Sequence, residues 1–376
     1  MKTKDVLIIG AGAAGSTAAF HLAKAGHRVT LLEKNSGKLI RPCGGGMAAA
    51  VQQWFPFDLM PVVDEVIKRV DFSWCLNDPV IAELPGSYPF WIVRREKLDC
   101  FITNQAINAG AEILRPFKVI QLQKDGQLWQ VTSEDGEQLK SKAVVIADGS
   151  KSPWAKTLGL GPTKEHHAFT TSVRLEGRGN LLERTARFEF GLVKHGFAWA
   201  FPIEGGVNVG IGSFIGQHAI NSESILENLL PSLGFSADEG KRQDSLLRVW
   251  NGHHSLHGDG VLAIGDAASL CDPFLAEGLR PALMSGFEAA HSLDHWLNGD
   301  IDALNGYTNT IQRKWGDSMA WGKRIAQVFY RFPQVGYQLG VKRPTAPQRI
   351  AEILSGEMGY SDIATRVIKR LLFQRS

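Results

Sequence analysis

The chain opens on a short apolar run, Val6-Leu7-Ile8-Ile9, that breaks at a cluster of glycines. Four consecutive apolar residues, mostly β-branched, predict a parallel strand buried on both faces. An alanine-rich stretch with helical spacing follows and ends near Gly26, and a second apolar run, Val29 to Leu32, stops at Glu33. Helical periodicity returns over Lys97 to Ala109. Strand patterns cover Glu112 to Leu122 and Leu128 to Thr132, with Asp125-Gly126 as a hairpin turn between them. Ala143 to Ala147 reads as another buried strand, closed by Asp148-Gly149. From 165 to 250 the pattern alternates and is rich in aromatics, which predicts a second sheet, with one helix near Ser222 to Leu230. Buried-strand character returns at Gly260 to Asp266 and leads into a long helix, Gly278 to Trp296; residues 300–376 have helical spacing.

These periods predict an α/β fold. A Rossmann-like dinucleotide domain is expected to be discontinuous over 1–70, 94–165 and 255–300. A β-rich substrate domain over 71–93 and 166–254 is inserted in it, and 301–376 forms a helical C-terminus.

The first glycines carry the chemistry. Gly10, Gly12 and Gly15 form GxGxxG between a strand and a helix. Gly10 permits the tight turn, Gly12 lets the backbone approach a pyrophosphate, and Gly15 lets the helix pack close to the sheet. The helix N-terminus then offers unpaired N–H groups to phosphate. Glu33 lies where a carboxylate can accept from ribose hydroxyls, and its charge weighs against a 2′-phosphate there. The candidate cofactor contacts in this half are Gly10, Gly12, Ala14, Gly15, Glu33, Lys34, Val119, Asp148 and Gly149. The fingerprint alone does not separate FAD from NAD. Gly206, Gly210 and Gly212 lie in a strand-like run with no helix after it and read as sheet glycines.

Composition narrows the classes. The 376 residues carry 41 basic and 38 acidic side chains, too balanced for a nucleic-acid binder. Cys43, Cys75, Cys100 and Cys271 are isolated, with no zinc or redox pairing, as suits a reducing cytoplasm. His253, His254 and His257 have no carboxylate motif beside them and read as loop residues, so no metal site is expected. There is no signal peptide pattern and no apolar run long enough to span a bilayer. At the far end, Ile363 to Phe373 shows an apolar stripe flanked by Arg366, Lys369 and Arg370. It reads either as a helix packed on the body or as a basic helix that touches an anionic membrane. Oligomeric state is not legible.

Five further segments resemble one family. REKLDCFITNQAINAGA, 95 to 111, is similar to the stretch that follows the first insertion in hydroxylase-type flavoproteins. GDAASLCDPFLAEGLRPALMSG, 265 to 286, is similar to their second FAD motif. Arg41-Pro-Cys-Gly-Gly-Gly-Met47 and FAWAFPIEGGVNVGIG, 197 to 212, resemble segments of the geranylgeranyl reductases, as does GEMGY, 356 to 360. The resemblance spans nearly the whole chain in order. Four positions depart from the family: Phe197 where tyrosine is usual, Ile203 in place of lysine, and Arg280 and Pro281 where apolar or aromatic residues are common.

The resemblance implies bound FAD, with Arg95, Gly265, Asp266, Gly278 and Leu279 joining Cys43, Gly44 and Gly45 as contacts. It implies reduction of C=C bonds in an isoprenoid chain, with NAD(P)H or another reductant as transient electron donor. Cys43 is the candidate proton donor, since a thiol is mostly protonated at neutral pH. Phe197, Trp199 and Phe201 would line the slot for an apolar substrate. The alternative is an FAD-dependent monooxygenase acting on an aromatic or other small apolar compound; a non-catalytic FAD-stabilised binding protein is a third.

Overall fold

The computed structural model describes residues 3–37, 41–86, 89–214, 221–343 and 345–373, with side chains described as far as 366. The first unit is β1 (Lys4–Ile9), α1 (Ala13–Lys24) and β2 (Val29–Leu32). Next come β3 (Gly46–Ala48), β4 (Val63–Ile67), β5 (Arg69–Trp74), β6 (Asn77–Glu83), β7 (Phe90–Val93) and α2 (Arg95–Asn108). β8 (Glu112–Leu114), β9 (Val119–Asp125), β10 (Leu128–Ser133), β11 (Gln138–Ile146) and the short α3 (Trp154–Thr157) follow. The middle of the chain is β12 (His166–Glu176), β13 (Thr185–Phe190), β14 (Gly196–Ile203), β15 (Gly206–Ser213), α4 (Ser222–Ser232) and β16 (Gln243–Val249). β17 (His257–Gly258), β18 (Val261–Ala263) and α5 (Leu279–Leu297) return to the first layer. The last helices are α6 (Ala303–Ile311), α7 (Asp317–Arg331), α8 (Pro333–Gly340), α9 (Ala346–Ser355) and α10 (Tyr360–Phe373).

The first sheet runs β17-β18-β11-β1-β2-β8, with the β9–β10 meander joined to β11. β18, β11, β1, β2 and β8 pair in parallel. Val6–Ile9 of β1 and all of β2 except Thr30 are apolar because both faces are covered. Helix α1 packs between α2 and α5. Its approach to α5 is close: a Cβ on Gly286 would lie 2.4 Å from the Ala14 carbonyl oxygen.

The second sheet runs β16-β12-β15-β14-β13-β5-β6. β14 is buried on both faces. Phe197, Trp199 and Phe201 point one way, while Ala198 and Ala200 point the other, into an apolar cluster with Leu226, Leu229 and Leu230 of α4. Large and small residues therefore alternate along one strand. Gly210 sits opposite Trp199, and a Cβ there would lie 2.2 Å from the indole. Gly210 thus serves the sheet by making room for a ring of the neighbouring strand.

Several expectations shift. Residues 112–122 form two strands instead of one, because Pro116 lacks a ladder N–H and separates them. The hairpin turn is Gly126-Gln127, with Gly126 at φ +61. Only Val261–Ala263 is strand in the 260–266 run, since Gly265 opens a short 3-10 turn. β5 and β6 lie in the second sheet, whereas β7 pairs with β3 and β4 in a small separate sheet.

The C-terminal helices clasp the irregular segment before α5. Tyr307 Oη donates to the Ala263 carbonyl, Trp315 Nε1 to Leu270 and Tyr330 Oη to Phe274, each at 2.8 Å. Tyr360 Oη donates to Asp272 Oδ2 at 2.7 Å. The apolar positions 367, 368, 371 and 372 and the basic Lys369 and Arg370 lie outside the described side chains.

Candidate functional site

The carboxyl ends of β1, β2, β11 and β18 open into one cavity of about 580 Å³. That is where open α/β sheets bind ligands, and the volume suits a cofactor site. Gly10, Gly12 and Ala14 line it at the start of α1, with Glu33 and Lys34 after β2. Val119, Asp148 and Gly149 form another wall. Cys43, Gly44 and Gly45 enter from the loop before β3, and Arg95 from the start of α2. Asp266, Gly278 and Leu279 contribute the end that α5 opens. Phe197, Trp199 and Phe201 reach the same cavity from the second sheet. Gly15 and Gly265 stand behind the lining. A Cβ on Gly15 would lie 2.0 Å from the Gly10 carbonyl oxygen, and one on Gly265 would lie 3.1 Å from Ala14 Cβ.

The glycine turn has the geometry its sequence requires. Gly10 sits at φ +107, and a Cβ there would lie 2.4 Å from the Ala147 carbonyl oxygen. Glu33 is held rigidly. Its Oε2 accepts from the Ala11 amide at 3.2 Å, and its Oε1 accepts from Asn35 N at 3.0 Å and Nδ2 at 2.6 Å. Arg41 reaches across the fingerprint, with ion pairs of 3.4 Å to both Glu33 and Asp99. Arg95 is fixed by a two-point contact with Asp99, at 3.1 and 2.9 Å.

The Cys43 loop is tied to the aromatic wall through Asn208. Asn208 Nδ2 donates to the Cys43 carbonyl at 2.8 Å, and Trp199 Nε1 donates to Asn208 Oδ1 at 3.2 Å. Gly45 N–H donates to Cys43 Sγ at 3.3 Å. Burial pushes the Cys43 thiol up, against the opposing pull of Arg95 and this amide. The thiol therefore holds its proton at neutral pH. Burial also raises Asp266 to about 6, against Arg95 and Arg248.

Asp266 gives a pH signature. Its folded pKa lies above the ordinary carboxyl value of 3.8. Such a group contributes stability that is full below the unfolded pKa and is lost as pH rises through the folded one. In cofactor-free protein this contribution is expected to fall by about 3 kcal/mol as pH rises from about 4 to beyond 6. Denaturant unfolding at both pH values, in parent and Asp266→Asn, checks it. The variant should show the smaller loss, and equal losses would exclude this role.

The residues fit FAD. Two helix N-termini, those of α1 and α5, face one cavity, and neither has a side-chain cap. Both are free to meet an anionic group. Among the described residues Asp148 Oδ1 is buried with no hydrogen-bond partner, and Asp148 lines the same cavity. Gly12 would hold the pyrophosphate, Glu33 a ribose, and Arg95 and Asp266 the middle of the molecule.

Arg41 and Asn208 were legible only as letters within their motifs. A charged residue beside a glycine loop, and an amide in an otherwise apolar strand, are the signals that mark them. Phe188 and Phe214 also line the cavity and look like ordinary core in the sequence. His253 and His254 lie in a loop, and His257 Nδ1 sits 2.7 Å from Thr308 Oγ1. Among the described residues no cluster of His, Cys, Asp and Glu could hold a metal ion, and no helix is long and apolar enough to cross a membrane.

Residues 4–181 match the family described as pyridine nucleotide-disulphide oxidoreductase. Digeranylgeranylglycerophospholipid reductase 1 of Methanopyrus kandleri is 26% identical, over 93% of this chain and 96% of its own. Menaquinone reductase of Mycobacterium tuberculosis is 26% identical, over 88% and 85%. Among solved structures, a geranylgeranyl bacteriochlorophyll reductase-like protein from Thermoplasma acidophilum superposes with a TM-score of 0.79. It has 20% identity and covers 94% of this chain and 92% of that one, a likeness of fold.

Proposed function

We propose that this chain, an FAD-dependent oxidoreductase with relatives among the geranylgeranyl reductases, reduces C=C bonds of an isoprenoid chain. The observation that supports this reading is the apolar slot against the glycine loop. A Cβ on Gly44 would lie 3.2 Å from the Phe201 ring and 3.3 Å from Trp199 Nε1. Phe188, Phe197 and Phe214 extend the same wall. Phe197 has no hydroxyl, so the wall offers the substrate few polar partners.

FAD, when bound and reduced, supplies the hydride equivalent. The chain has three tasks: to exclude water, to hold one double bond flat in the slot, and to deliver a proton. Cys43 Sγ–H is the donor in this reading. The Gly45 amide and the Arg95 charge favour the thiolate left behind. Glycines at 44, 45 and 46 let the backbone lie against a flat ring. NAD(P)H or another reductant would act as transient electron donor. The relatives' names point to geranylgeranyl lipids and to menaquinone as substrate classes to try.

Mass spectrometry of products from anaerobic turnover with reduced enzyme tests the reading. Each round is expected to add two hydrogens to a geranylgeranyl lipid or menaquinone. A product that gains an oxygen atom under air, with no hydrogenated species, would overturn it in favour of the monooxygenase.

A further inference from the structure

We propose that α7 and α8 form a docking face for an anionic lipid bilayer. Four large apolar side chains stand out from these helices and their junction: Val328 at 67% exposure, Phe332 at 57%, Val335 at 55% and Leu339 at 53%. Their opposite sides are committed to the body. Ala326, Phe329 and Tyr330 of α7 are buried, as is Tyr337 of α8, whose hydroxyl donates to the Phe72 and Asp78 carbonyls. The outward stripe is therefore left over after the fold has used these helices. Soluble surfaces rarely keep such a patch without a partner.

Charge identifies the partner. From Ser318 to Ile350 the sequence contains no Asp or Glu, but it contains Lys323, Arg324, Arg331, Lys342, Arg343 and Arg349. Lys342 is paired with Asp78 at 2.5 Å. Among the described residues Arg324, Arg331 and Arg343 have no ion pair. Arg324 instead lies over the Trp321 ring at 4.7 Å, and Arg331 over Phe332 at 5.8 Å. Exposed apolar side chains on a segment whose arginines lack ion pairs are what an interfacial helix presents to acyl chains and anionic headgroups. A second copy of this chain fits worse. In a two-fold dimer the same patch meets itself, and like charges would face each other.

The face is also close to the cavity. Phe329, on the inner side of α7, meets Phe190 at 5.3 Å between ring centroids. Phe190 meets Phe197 at 5.8 Å, and Phe197 lines the cavity. Two layers of rings thus separate the docking face from the proposed substrate wall. The inference rests on the surface alone and holds whatever compound the cavity takes.

The test is co-sedimentation of the FAD-loaded full chain with vesicles of phosphatidylcholine, with and without phosphatidylglycerol. Binding is expected only with phosphatidylglycerol and is expected to weaken with salt. The double variant Val335→Asp/Leu339→Asp alters only exposed positions. It should keep the flavin spectrum and the melting temperature of the parent, and its partitioning should fall about tenfold or more. Three results would overturn the proposal: no binding to phosphatidylglycerol vesicles, undiminished binding by the variant, which would assign the contact to another segment, or a parent dimer that the variant dissociates.

Discussion

Cys43→Ser is expected to slow alkene reduction by ~10²–10⁴-fold, the usual contribution of a positioned acid. Reduction of the bound flavin by dithionite should stay near the parent rate, because that step needs no proton from this side chain. Serine keeps the size and a donor hydrogen, but its hydroxyl is a far weaker acid than a thiol. The surroundings are arranged for a thiol. Burial keeps the proton on Sγ, while the Gly45 amide and Arg95 ease its departure. Folding should be preserved, since Asn208 Nδ2 anchors the loop through the Cys43 carbonyl, and a serine oxygen can accept from the Gly45 amide in place of the sulfur. Stopped-flow rates with substrate and with dithionite separate the two steps. Normal substrate turnover in the serine variant would place the donor elsewhere. Loss of FAD would make Cys43 a packing residue of the cofactor site.

Gly15→Ala is expected to release FAD and to destabilise the protein by about 3 kcal/mol. The added Cβ would lie 2.0 Å from the Gly10 carbonyl oxygen and 3.2 Å from Ala147 Cβ. The Gly10 backbone cannot give way without moving α1 off the sheet, and α1 carries the N-terminus that faces the cavity. Gly26→Ala is the control. Gly26 sits at φ +92 with nothing within 4 Å of the new carbon. It should cost only about 1–2 kcal/mol, from the left-handed backbone, and should retain FAD. Thermal melts and flavin content of the two purified variants give the comparison. Equal flavin content would show that close packing at Gly15 is not what shapes the site.

Much of this was legible in the sequence because it depends on local rules. GxGxxG fixes the sign and space at Gly10 and Gly15 within a few residues, so the turn could be read without the fold. The apolar runs around Val6, Val29 and Ala143 declared a parallel sheet because burial on both faces leaves no room for polar residues. The helix that starts at Leu279 and the one at Ser222 were clear from periodicity. What escaped depends on contacts between distant segments. Nothing near Asn208 announces that it joins the Cys43 loop to Trp199, since its two partners lie 165 and 9 residues away. β7 could not be assigned to its small sheet, because pairing with β3 and β4 is decided by tertiary packing and not by its own four apolar residues. Phe188 and Phe214 are indistinguishable from core until the cavity beside them is seen.

The aromatic clasp on residues 263–274 has a further meaning. Three carbonyls of that stretch, those of Ala263, Leu270 and Phe274, accept from hydroxyl and indole groups of helices more than forty residues further along. Part of the order in the second half of the candidate cofactor site therefore comes from the C-terminal helices. Anything that favours the bound cofactor must also favour the docked helices, and anything that loosens them must weaken the cofactor, by the reciprocity of linked equilibria. The linkage predicts that flavin release and loss of the C-terminal helices coincide on heating, which flavin fluorescence and far-UV circular dichroism followed together would show.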